Sequence, residues 1–301
     1  MKNTLGILVK IKELKKKRNA VILVHNYQIP EVQDAADFLG DSLDLSRRAA
    51  ETEADVIVFC GVYFMAETAA ILSPEKNVLI PDGSAGCPMA DMIDAAGLRA
   101  LKKAHPGAAV VCYVNTTAAV KAESDICCTS ANAVEVVNSL EEEEIIFVPD
   151  RCLGGYTASF TSKKIILYDG YCPVHQKITA WALDTSREKH PRAFAIVHPE
   201  CPPETIAHAD AVASTSGMID LSRGKKEVLA GTETGMLYSL STACPGVKFY
   251  PVTEEAVCRD MKKINLVKLL DSLEKLRYEV KVDKSIAARA GKALARMLEV
   301  R

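Results

Sequence analysis

The sequence repeats a similar pattern three times, and this repetition restricts the fold more than any other feature. Each repeat opens with an apolar run that ends in polar residues: AVILVHNYQ (20–28), AAVVCYVNT (108–116) and AFAIVHPEC (193–201). One residue near the end of each run serves as its anchor: His25, Tyr113 and His198. The anchors are 88 and 85 residues apart, and a hydroxyl residue follows each by 17 residues: Ser42, Ser130 and Thr215. Equal offsets in three units indicate an internal triplication rather than chance alternation.

Within each unit, apolar runs alternate with helix-like segments. The first run is followed by a helical segment that ends in Ala-Asp or Ser-Asp, and then by a hydroxyl-rich turn into a helix. A second buried strand, a further helix and a third strand complete the unit, so that each unit reads strand–helix–strand–helix–strand. This order predicts an α/β fold with parallel strands, helices covering the sheets and right-handed crossovers.

The polar residues at the strand ends indicate where a ligand would bind. In parallel sheets, ligands bind beyond the carboxyl ends of the strands, near helix N-termini. The polar residues at these positions are His25, Asn26, Tyr27, Tyr113, Asn115, His198 and Glu200. If the three units face one another, these side chains meet in one central cavity, and the hydroxyl-rich turns add the free N–H groups of helix N-termini. Such a cavity is suited to polycarboxylates or phosphates.

The composition excludes several classes of function. The 301 residues carry a formal net charge of −2, which argues against bulk electrostatic binding to nucleic acid or to an anionic membrane. No apolar stretch of membrane-spanning length and no signal-peptide pattern occurs, so we expect a cytoplasmic protein. In such a chain, the ten cysteines are expected to be thiols or metal ligands rather than disulfides. Because no C-x-x-C pair occurs, any metal site must combine distant segments.

The repeat register selects three of the ten cysteines. Cys87, Cys172 and Cys258 are separated by 85 and 86 residues, and they lie 62, 59 and 60 residues after their anchors. A rival set has equal spacings of 92 and 92 residues but unequal anchor offsets of 35, 39 and 46: Cys60, Cys152 and Cys244. The first set therefore occupies equivalent places in the three units, and we predict that it forms a shared metal centre.

The residues alone leave the identity of the metal open. Three thiolates are one ligand short of closing either a zinc site or a four-iron cluster, and an open position is what a Lewis-acid catalyst needs. His175 follows Cys172 by three residues and would complete a tetrahedral zinc site. A third interpretation treats the cysteines as buried thiols without a metal. Of the three interpretations, the pattern favours the cluster.

A resemblance to a known family rests on nine segments: HNYQIPEVQDAADFLGDSL, GVYFMAE, CPMA, YVNTT, CTSANAVEVV, CPVHQ, HPEC, GTETGM and AVCRDMKK. Together these segments, which cover roughly residues 18–262, resemble the quinolinate synthase family of iron–sulfur enzymes. The resemblance implies three pseudo-symmetric, three-layer α/β/α domains with parallel sheets around a central active-site cavity. We place the domains at 18–104, 105–190 and 191–280, with flanking terminal helices over 1–17 and 281–301.

The resemblance also implies a reaction, the condensation of iminoaspartate (iminosuccinate) with dihydroxyacetone phosphate to quinolinate, phosphate and water in de novo NAD biosynthesis. It implies a [4Fe–4S] cluster with one open iron as Lewis acid, and its ligands would be Cys87, Cys172 and Cys258. Substrate binding would involve His25, Ser42, Tyr113, Asn115, Ser130, His198, Glu200 and Thr215. Proton transfer would involve the catalytic candidates Tyr27, His175, His198 and Glu200.

Alternatives remain for both the function and individual residues. Another metal-dependent dehydratase of a small carboxylate would use a similar cavity, and a cluster-based electron carrier would need four protein ligands. Ser130 and Thr215 could serve only as helix N-caps. For partners, the resemblance implies the two small substrates, supply of iminoaspartate by an upstream aspartate-oxidising enzyme, and neither nucleic acid nor membrane.

Overall fold

Each of the three units folds into a four-stranded parallel sheet flanked by helices. The computed structural model describes residues 2–300, with side chains from residue 5 onward, so Met1 and Arg301 of the predicted terminal helices lie outside the described residues. The first unit follows helix α1 (Lys2–Lys17) and contains β1 (Ala20–His25), α2 (Pro30–Gln33), β2 (Phe38–Gly40), α3 (Ser42–Glu51), β3 (Val56–Cys60), α4 (Tyr63–Leu72), β4 (Asn77–Leu79) and α5 (Ala95–Ala104).

The second and third units repeat this order. The second contains β5 (Ala109–Tyr113), α6 (Ala118–Lys121), β6 (Ile126–Cys128), α7 (Ala133–Asn138), β7 (Glu144–Val148), α8 (Arg151–Ala158), β8 (Lys164–Leu167) and α9 (Ala180–Lys189). The third contains β9 (Phe194–Val197), α10 (Pro203–His208), β10 (Ala211–Val212), α11 (Thr215–Ser222), β11 (Glu227–Gly231), α12 (Met236–Ala243) and β12 (Lys248–Pro251). The chain continues with α13 (Leu266–Lys275) and α14 (Lys284–Glu299).

The three sheets have the same topology. Their strand orders are β2-β1-β3-β4, β6-β5-β7-β8 and β10-β9-β11-β12, and every strand pair is parallel. This result confirms the predicted α/β class with three similar domains. The prediction of three strands per unit was wrong, because each sheet has a fourth strand at one edge: β2, β6 or β10. These edge strands contain only two or three residues, which is too short for an apolar periodicity to show in the sequence.

In each unit, one aspartate fixes the central strand, by which we mean the first strand of the unit (β1, β5 or β9), to the segment that precedes the edge strand. Its carboxylate accepts a hydrogen bond from a backbone N–H of the central strand at 2.8–2.9 Å, and its own N–H donates to the carbonyl of that same residue at 2.9–3.1 Å. The pairs are Asp37 with Ile22, Asp125 with Val110, and Asp210 with Ala195. This double contact explains why each unit carries Ala-Asp or Ser-Asp at the same place.

The sheets are buried on both faces because helices cover them, as expected of parallel sheets. All five residues of β3 and of β5 are buried. Helix α13 packs against α1 and β3, although it follows the third unit in the chain, and α14 packs against α4, α6 and β6. The domain boundaries taken from the sequence stay predictions. Within residues 2–300, the chain forms no helix of the length and apolarity that a membrane span requires.

Candidate active site

The carboxyl ends of the three central strands open onto one cavity of about 260 Å³. The cavity is lined by every residue predicted to bind substrate, to transfer protons or to hold the cluster: His25, Tyr27, Ser42, Cys87, Tyr113, Asn115, Ser130, Cys172, His175, His198, Glu200, Thr215 and Cys258. Asn26, which was also expected there as a strand-end residue, does not line the cavity; it is buried, and its Nδ2 donates to Thr215 Oγ1 at 3.0 Å. The three units therefore bring together residues that are up to about 230 positions apart in the chain. The roles assigned to the individual residues stay predictions.

The three cysteines selected by the repeat register differ from the other seven in their exposure. Cys87, Cys172 and Cys258 are partly exposed and line the cavity. The remaining seven thiols are buried: Cys60, Cys112, Cys127, Cys128, Cys152, Cys201 and Cys244. The rival set with equal spacings occupies three unlike places, at the end of a strand, inside a helix and at a helix C-terminus: Cys60, Cys152 and Cys244.

The loops that carry the three cavity cysteines are held in the same way. In each unit, a backbone N–H just after the other inner strand of the sheet (β3, β7 or β11) donates to the carbonyl two residues before the cysteine. The pairs are Tyr63 to Ala85 (2.7 Å), Arg151 to Gly170 (2.9 Å) and Thr234 to Ala256 (3.0 Å). A 3₁₀ turn follows the cysteine in two of the units: His175–Lys177 and Met261–Lys263. These shared contacts give the three thiols equivalent positions around the cavity.

The chemistry of this donor set fits a thiolate-bound metal centre. Burial raises the pKa of Cys87 to about 12 and also raises the pKa of Cys172 and of Cys258. The thiols are close enough that Cys258 further raises the pKa of Cys87, and Cys87 that of Cys172. Such thiols become ligands when a positive centre stabilises their thiolates, and three soft sulfur donors suit iron–sulfur or zinc chemistry.

A second donor set shares Cys172. Three atoms lie within 4.8 Å of one another and could hold a metal ion: Cys172 Sγ, a ring nitrogen of His175 and a carboxylate oxygen of Glu200. The His175 Nδ1 atom lies 2.7 Å from Glu200 Oε2 and 3.2 Å from Cys172 Sγ. A separation of 2.7 Å is typical of a charge-assisted hydrogen bond in which Nδ1–H is the donor. A metal on Nδ1 would replace that proton, so the geometry favours an acid–base pair.

Two cavity histidines have the same fixed tautomer. His25 Nδ1 accepts the backbone N–H of Tyr27 at 3.2 Å, and His198 Nδ1 accepts that of Glu200 at 3.3 Å. Burial lowers the pKa of both histidines to about 3, so both rings are neutral at pH 7. Each ring therefore carries its proton on Nε2. The Nε2 atom of His198 lies 3.2 Å from Ser130 Oγ. The two rings are neutral hydrogen-bond donors toward the cavity.

Glu200 is the anionic group at the centre of the site. Burial acts to raise its pKa, but His175, His198 and the Tyr113 hydroxyl outweigh burial and lower the pKa of this carboxyl. Burial and the Glu200 charge raise the pKa of Tyr113 well above its usual value. Tyr113 therefore stays protonated and donates to an ionised Glu200 carboxylate.

A chain of hydrogen bonds leads from Tyr27 to Glu200. The Tyr27 hydroxyl is 2.6 Å from Thr232 Oγ1, and Thr232 Oγ1 is 3.0 Å from His175 Nε2. Since His175 Nδ1–H donates to Glu200, its Nε2 accepts from the Thr232 hydroxyl, which in turn accepts from Tyr27. Burial and Glu200 raise the pKa of Tyr27 well above 10, which keeps the proton on the tyrosine. This chain can pass a proton across the cavity.

The hydroxyl residues predicted to bind substrate are not the N-caps of their helices. Asp41 caps α3, and Ser214 caps α11 through its hydroxyl, while Asn132 is at the N-cap position of α7. The side chains of Ser42, Ser130 and Thr215 therefore remain at the cavity surface. The Oδ1 atom of Asn115 is buried and has no hydrogen-bond partner among the described residues, as expected of an acceptor that a ligand would satisfy.

Thr232 and Glu233 are absent from the site residues predicted from the sequence. Both are buried at the carboxyl end of β11, inside the segment GTETGM. The sequence contains a signal that could have identified these two residues. Their segment follows the second buried strand of the third unit, as GVYFMAE follows that of the first. A polar strand end of this kind belongs to the cavity in a parallel sheet.

Fold and site define a three-unit α/β enzyme with one cavity cysteine from each unit and a buried acid–base chain. A family model described as Quinolinate synthetase A protein (NadA) matches residues 9–299. The quinolinate synthase of Methanosarcina barkeri is 57% identical over 297 residues, which are 98% of this chain and 98% of that protein. That of Dehalococcoides mccartyi strain CBDB1 is 56% identical over 293 residues, 97% of each chain. The chain belongs to the quinolinate synthetase A family.

Proposed function

We propose that this enzyme condenses iminoaspartate with dihydroxyacetone phosphate to give quinolinate, phosphate and water in de novo NAD biosynthesis. In this proposal, Cys87, Cys172 and Cys258 hold a [4Fe–4S] cluster whose fourth iron is open. The observation that carries the proposal is the meeting of three partly exposed cysteines, one from each unit, in a cavity that also contains the acid–base chain. Membership of the family and the names of its relatives support the same reaction.

The cavity is suited to substrates that carry carboxylates. His25 and His198 present neutral Nε2–H donors, and the hydroxyls of Ser42, Ser130 and Thr215 add further donors. Neutral donors of this kind can form hydrogen bonds to a carboxylate, so the site needs no buried cation for this purpose. Asn115 Oδ1 provides an unpaired acceptor for a substrate N–H group. At the mouth of the cavity, the exposed Lys177 and Arg259 can bind the phosphate group.

Proton transfer in the proposed reaction uses Glu200 and the chain from Tyr27. The condensation includes proton removal from carbon and protonation of leaving hydroxyl groups, so that an acid and a base must both reach the substrate. The ionised Glu200 is the base and takes a proton from substrate carbon, while Tyr27 donates its proton to a leaving hydroxyl group. The proton on Glu200 then returns to Tyr27 through His175 and Thr232 as the hydrogen bonds of this chain reverse direction. When bound, the cluster would supply a Lewis-acidic iron that polarises a substrate oxygen. We extend the proposal to action in the cytoplasm and to iminoaspartate supplied by an aspartate-oxidising enzyme.

A zinc-dependent dehydratase of another small carboxylate is the second candidate. The observation in its favour is the donor set of Cys172, His175 and Glu200, which lies within 4.8 Å. Binding of zinc there would occupy the groups that otherwise form the acid–base chain. The two candidates therefore predict different metals and different roles for His175.

The test of the proposed function is formation of quinolinate by the anaerobically reconstituted enzyme. Iminoaspartate and dihydroxyacetone phosphate are supplied together, and quinolinate and phosphate are measured by chromatography. The proposal predicts that both products appear in equal amounts and that neither appears when one substrate is omitted. Iron-loaded enzyme that forms no quinolinate would contradict the proposed reaction, and activity that depends on zinc instead of iron would favour the second candidate.

A further inference from the structure

Glu233 is a buried carboxylate that lies outside the acid–base chain. It follows Thr232 at the end of β11 and is 0% exposed. Its Oε1 accepts the backbone N–H of Cys258 at 2.9 Å, and its Oε2 accepts the N–H of Gly235 at 2.7 Å. The ammonium group of Lys262 lies 3.0 Å from the same carboxylate. A buried carboxylate with this many donors is held in one position.

Lys262 connects this carboxylate to the first unit. Its Nζ donates to the backbone carbonyl of Tyr27 as well as to Glu233. The loop around Tyr27 is fixed from a second side by Gln33, whose Nε2 donates to the carbonyls of Gln28 at 2.8 Å and Gly235 at 3.0 Å. The segment that carries Cys258 and the loop that carries Tyr27 therefore share one ion pair, in which the carboxylate is fully buried and the Lys262 side chain is 22% exposed.

Gly235 provides the space in which these groups meet. A Cβ atom added to it would lie 2.6 Å from Lys262 Nζ, 2.6 Å from the Tyr27 carbonyl oxygen and 2.8 Å from Glu233 Oε2. Its φ of −60° is one that any residue adopts, so the backbone does not require glycine here. The close approach of the three groups does require it.

The equivalent positions in the other two units are different. The residues that directly precede Tyr63, Arg151 and Thr234 are Val62, Asp150 and Glu233. Val62 is apolar, and Asp150 caps α8 by accepting the N–H of Leu153 at 2.8 Å. Asp150 Oδ2 has no hydrogen-bond partner among the described residues. Of these three positions, only the one in the third unit holds an acid that is paired with a lysine, Glu233 with Lys262.

We propose that Glu233 and Lys262 are positioning residues that form a charge-paired clamp between the Cys258 loop and the Tyr27 loop. The clamp holds the Cys258 amide and thereby sets the direction of the thiolate, and it balances charge beside that thiolate. Through the Tyr27 carbonyl, the clamp also sets the place of the acid–base residue relative to Cys258. The inference rests on the proposed ligation of a cluster by Cys258.

The test compares Glu233→Gln, Lys262→Met and the double variant in the full-length, reconstituted protein, with Glu255→Gln as the control. Glu255 is an exposed carboxylate on the same loop, three residues before Cys258. In Glu233→Gln, the unpaired lysine cation should raise the reduction potential of the cluster, whereas in Lys262→Met the unpaired carboxylate should lower it. The double variant should return toward the wild-type potential. Release of iron to a chelator should be about 10- to 100-fold faster in Glu233→Gln, as expected for loss of a ligand's hydrogen-bond partner.

Opposite shifts distinguish a charge-paired clamp from a general loss of structure, which would change both variants in one direction. Shifts of the same sign, or potentials and iron-release rates equal to those of Glu255→Gln, would overturn the inference. If Glu233→Gln does not fold, the inference is tested with Lys262→Met and Gly235→Ala. The clamp requires a lowered reduction potential in Lys262→Met and faster iron release in both variants. Wild-type protein that takes up no cluster would contradict the proposed function instead.

Discussion

The scaffold and the active site use the threefold repeat in different ways. In the scaffold, the three units are alike: one aspartate in each makes the same two contacts with the central strand, at nearly equal distances. At the strand ends, the anchors differ: His25 and His198 share a fixed neutral tautomer, whereas Tyr113 donates to Glu200. Repetition thus supplies equivalent positions, and differences between units supply distinct chemical groups at those positions.

The largest expected effect tests equivalence of the cysteines. Replacement of Cys172 by Ala should abolish retention of the cluster, because a register-matched ligand is lost. Replacement of Cys244, which is buried at the end of α12, should leave iron content near that of the wild type. Iron analysis and the visible spectrum after anaerobic reconstitution make this comparison. Equal loss of iron in both variants would contradict the assignment of ligands by register.

The second prediction concerns Glu200, which has no carboxylate counterpart at the anchors of the other units. Glu200→Gln should lower kcat by about 100- to 10,000-fold, the range expected for loss of a general base. The control is Glu204→Gln, since Glu204 is an exposed carboxylate on the neighbouring helix α10. Steady-state kinetics of quinolinate formation check the result, and a variant within twofold of the control would rule out Glu200 as the base.

A pH dependence follows from His25 and His198, the two buried histidines whose pKa is lowered. The folded pKa of about 3 lies below the ordinary value of 6.5, so the unfolded state binds more protons as the pH falls below 6.5. Their contribution to stability is present above pH 6.5 and is lost as the pH falls, by about 2 kcal/mol per histidine at pH 5. Urea unfolding of the apoprotein at pH 7 and pH 5 measures this loss. His198→Gln should remove about half of it, and an unchanged loss would contradict the account.

The scaffold aspartates provide a matched series with an effect on stability. Asp37→Ala, Asp125→Ala and Asp210→Ala should each lower the free energy of unfolding by about 1–3 kcal/mol, because a backbone N–H of the central strand loses its acceptor. Urea unfolding of the three variants checks both the size and the similarity of the losses. If one variant lost several times more stability than the others, the units would not be equivalent in the scaffold.

The smallest expected effect concerns Thr232, which relays between Tyr27 and His175. Thr232→Val keeps the volume but removes the hydroxyl, and kcat should fall by about 10-fold, as expected for loss of a hydrogen bond worth about 1.4 kcal/mol. Tyr27→Phe should show a larger loss, and the double variant should be no slower than Tyr27→Phe because both act in one chain. Additive losses in this cycle would show that the two residues act independently.

Much of the fold and of the site follows from the sequence because both depend on periodic positions. The equal offsets of Ser42, Ser130 and Thr215 mark three residues that line the cavity, and the register separates Cys87 from buried Cys60. The short edge strands were missed because pairing with the central strand, rather than local pattern, forms them.

Contacts between units could not be derived from the sequence. The hydroxyl of Thr232 meets Tyr27 from 205 positions away, and Lys262 reaches the Tyr27 carbonyl across 235 positions. Neither pair has an equivalent in the repeat pattern, so the register gives no information about it. Which polar strand end becomes a base, a relay or a clamp depends on how the three units face one another.

The most direct test of the account is the amount of iron and acid-labile sulfide bound per chain after anaerobic reconstitution. The expected result is a brown protein with iron and sulfide in the ratio of one [4Fe–4S] cluster per chain, and loss of that cluster from each of Cys87→Ala, Cys172→Ala and Cys258→Ala. A colourless protein that binds zinc through Cys172, or an iron content unaffected by one of the three substitutions, would contradict it.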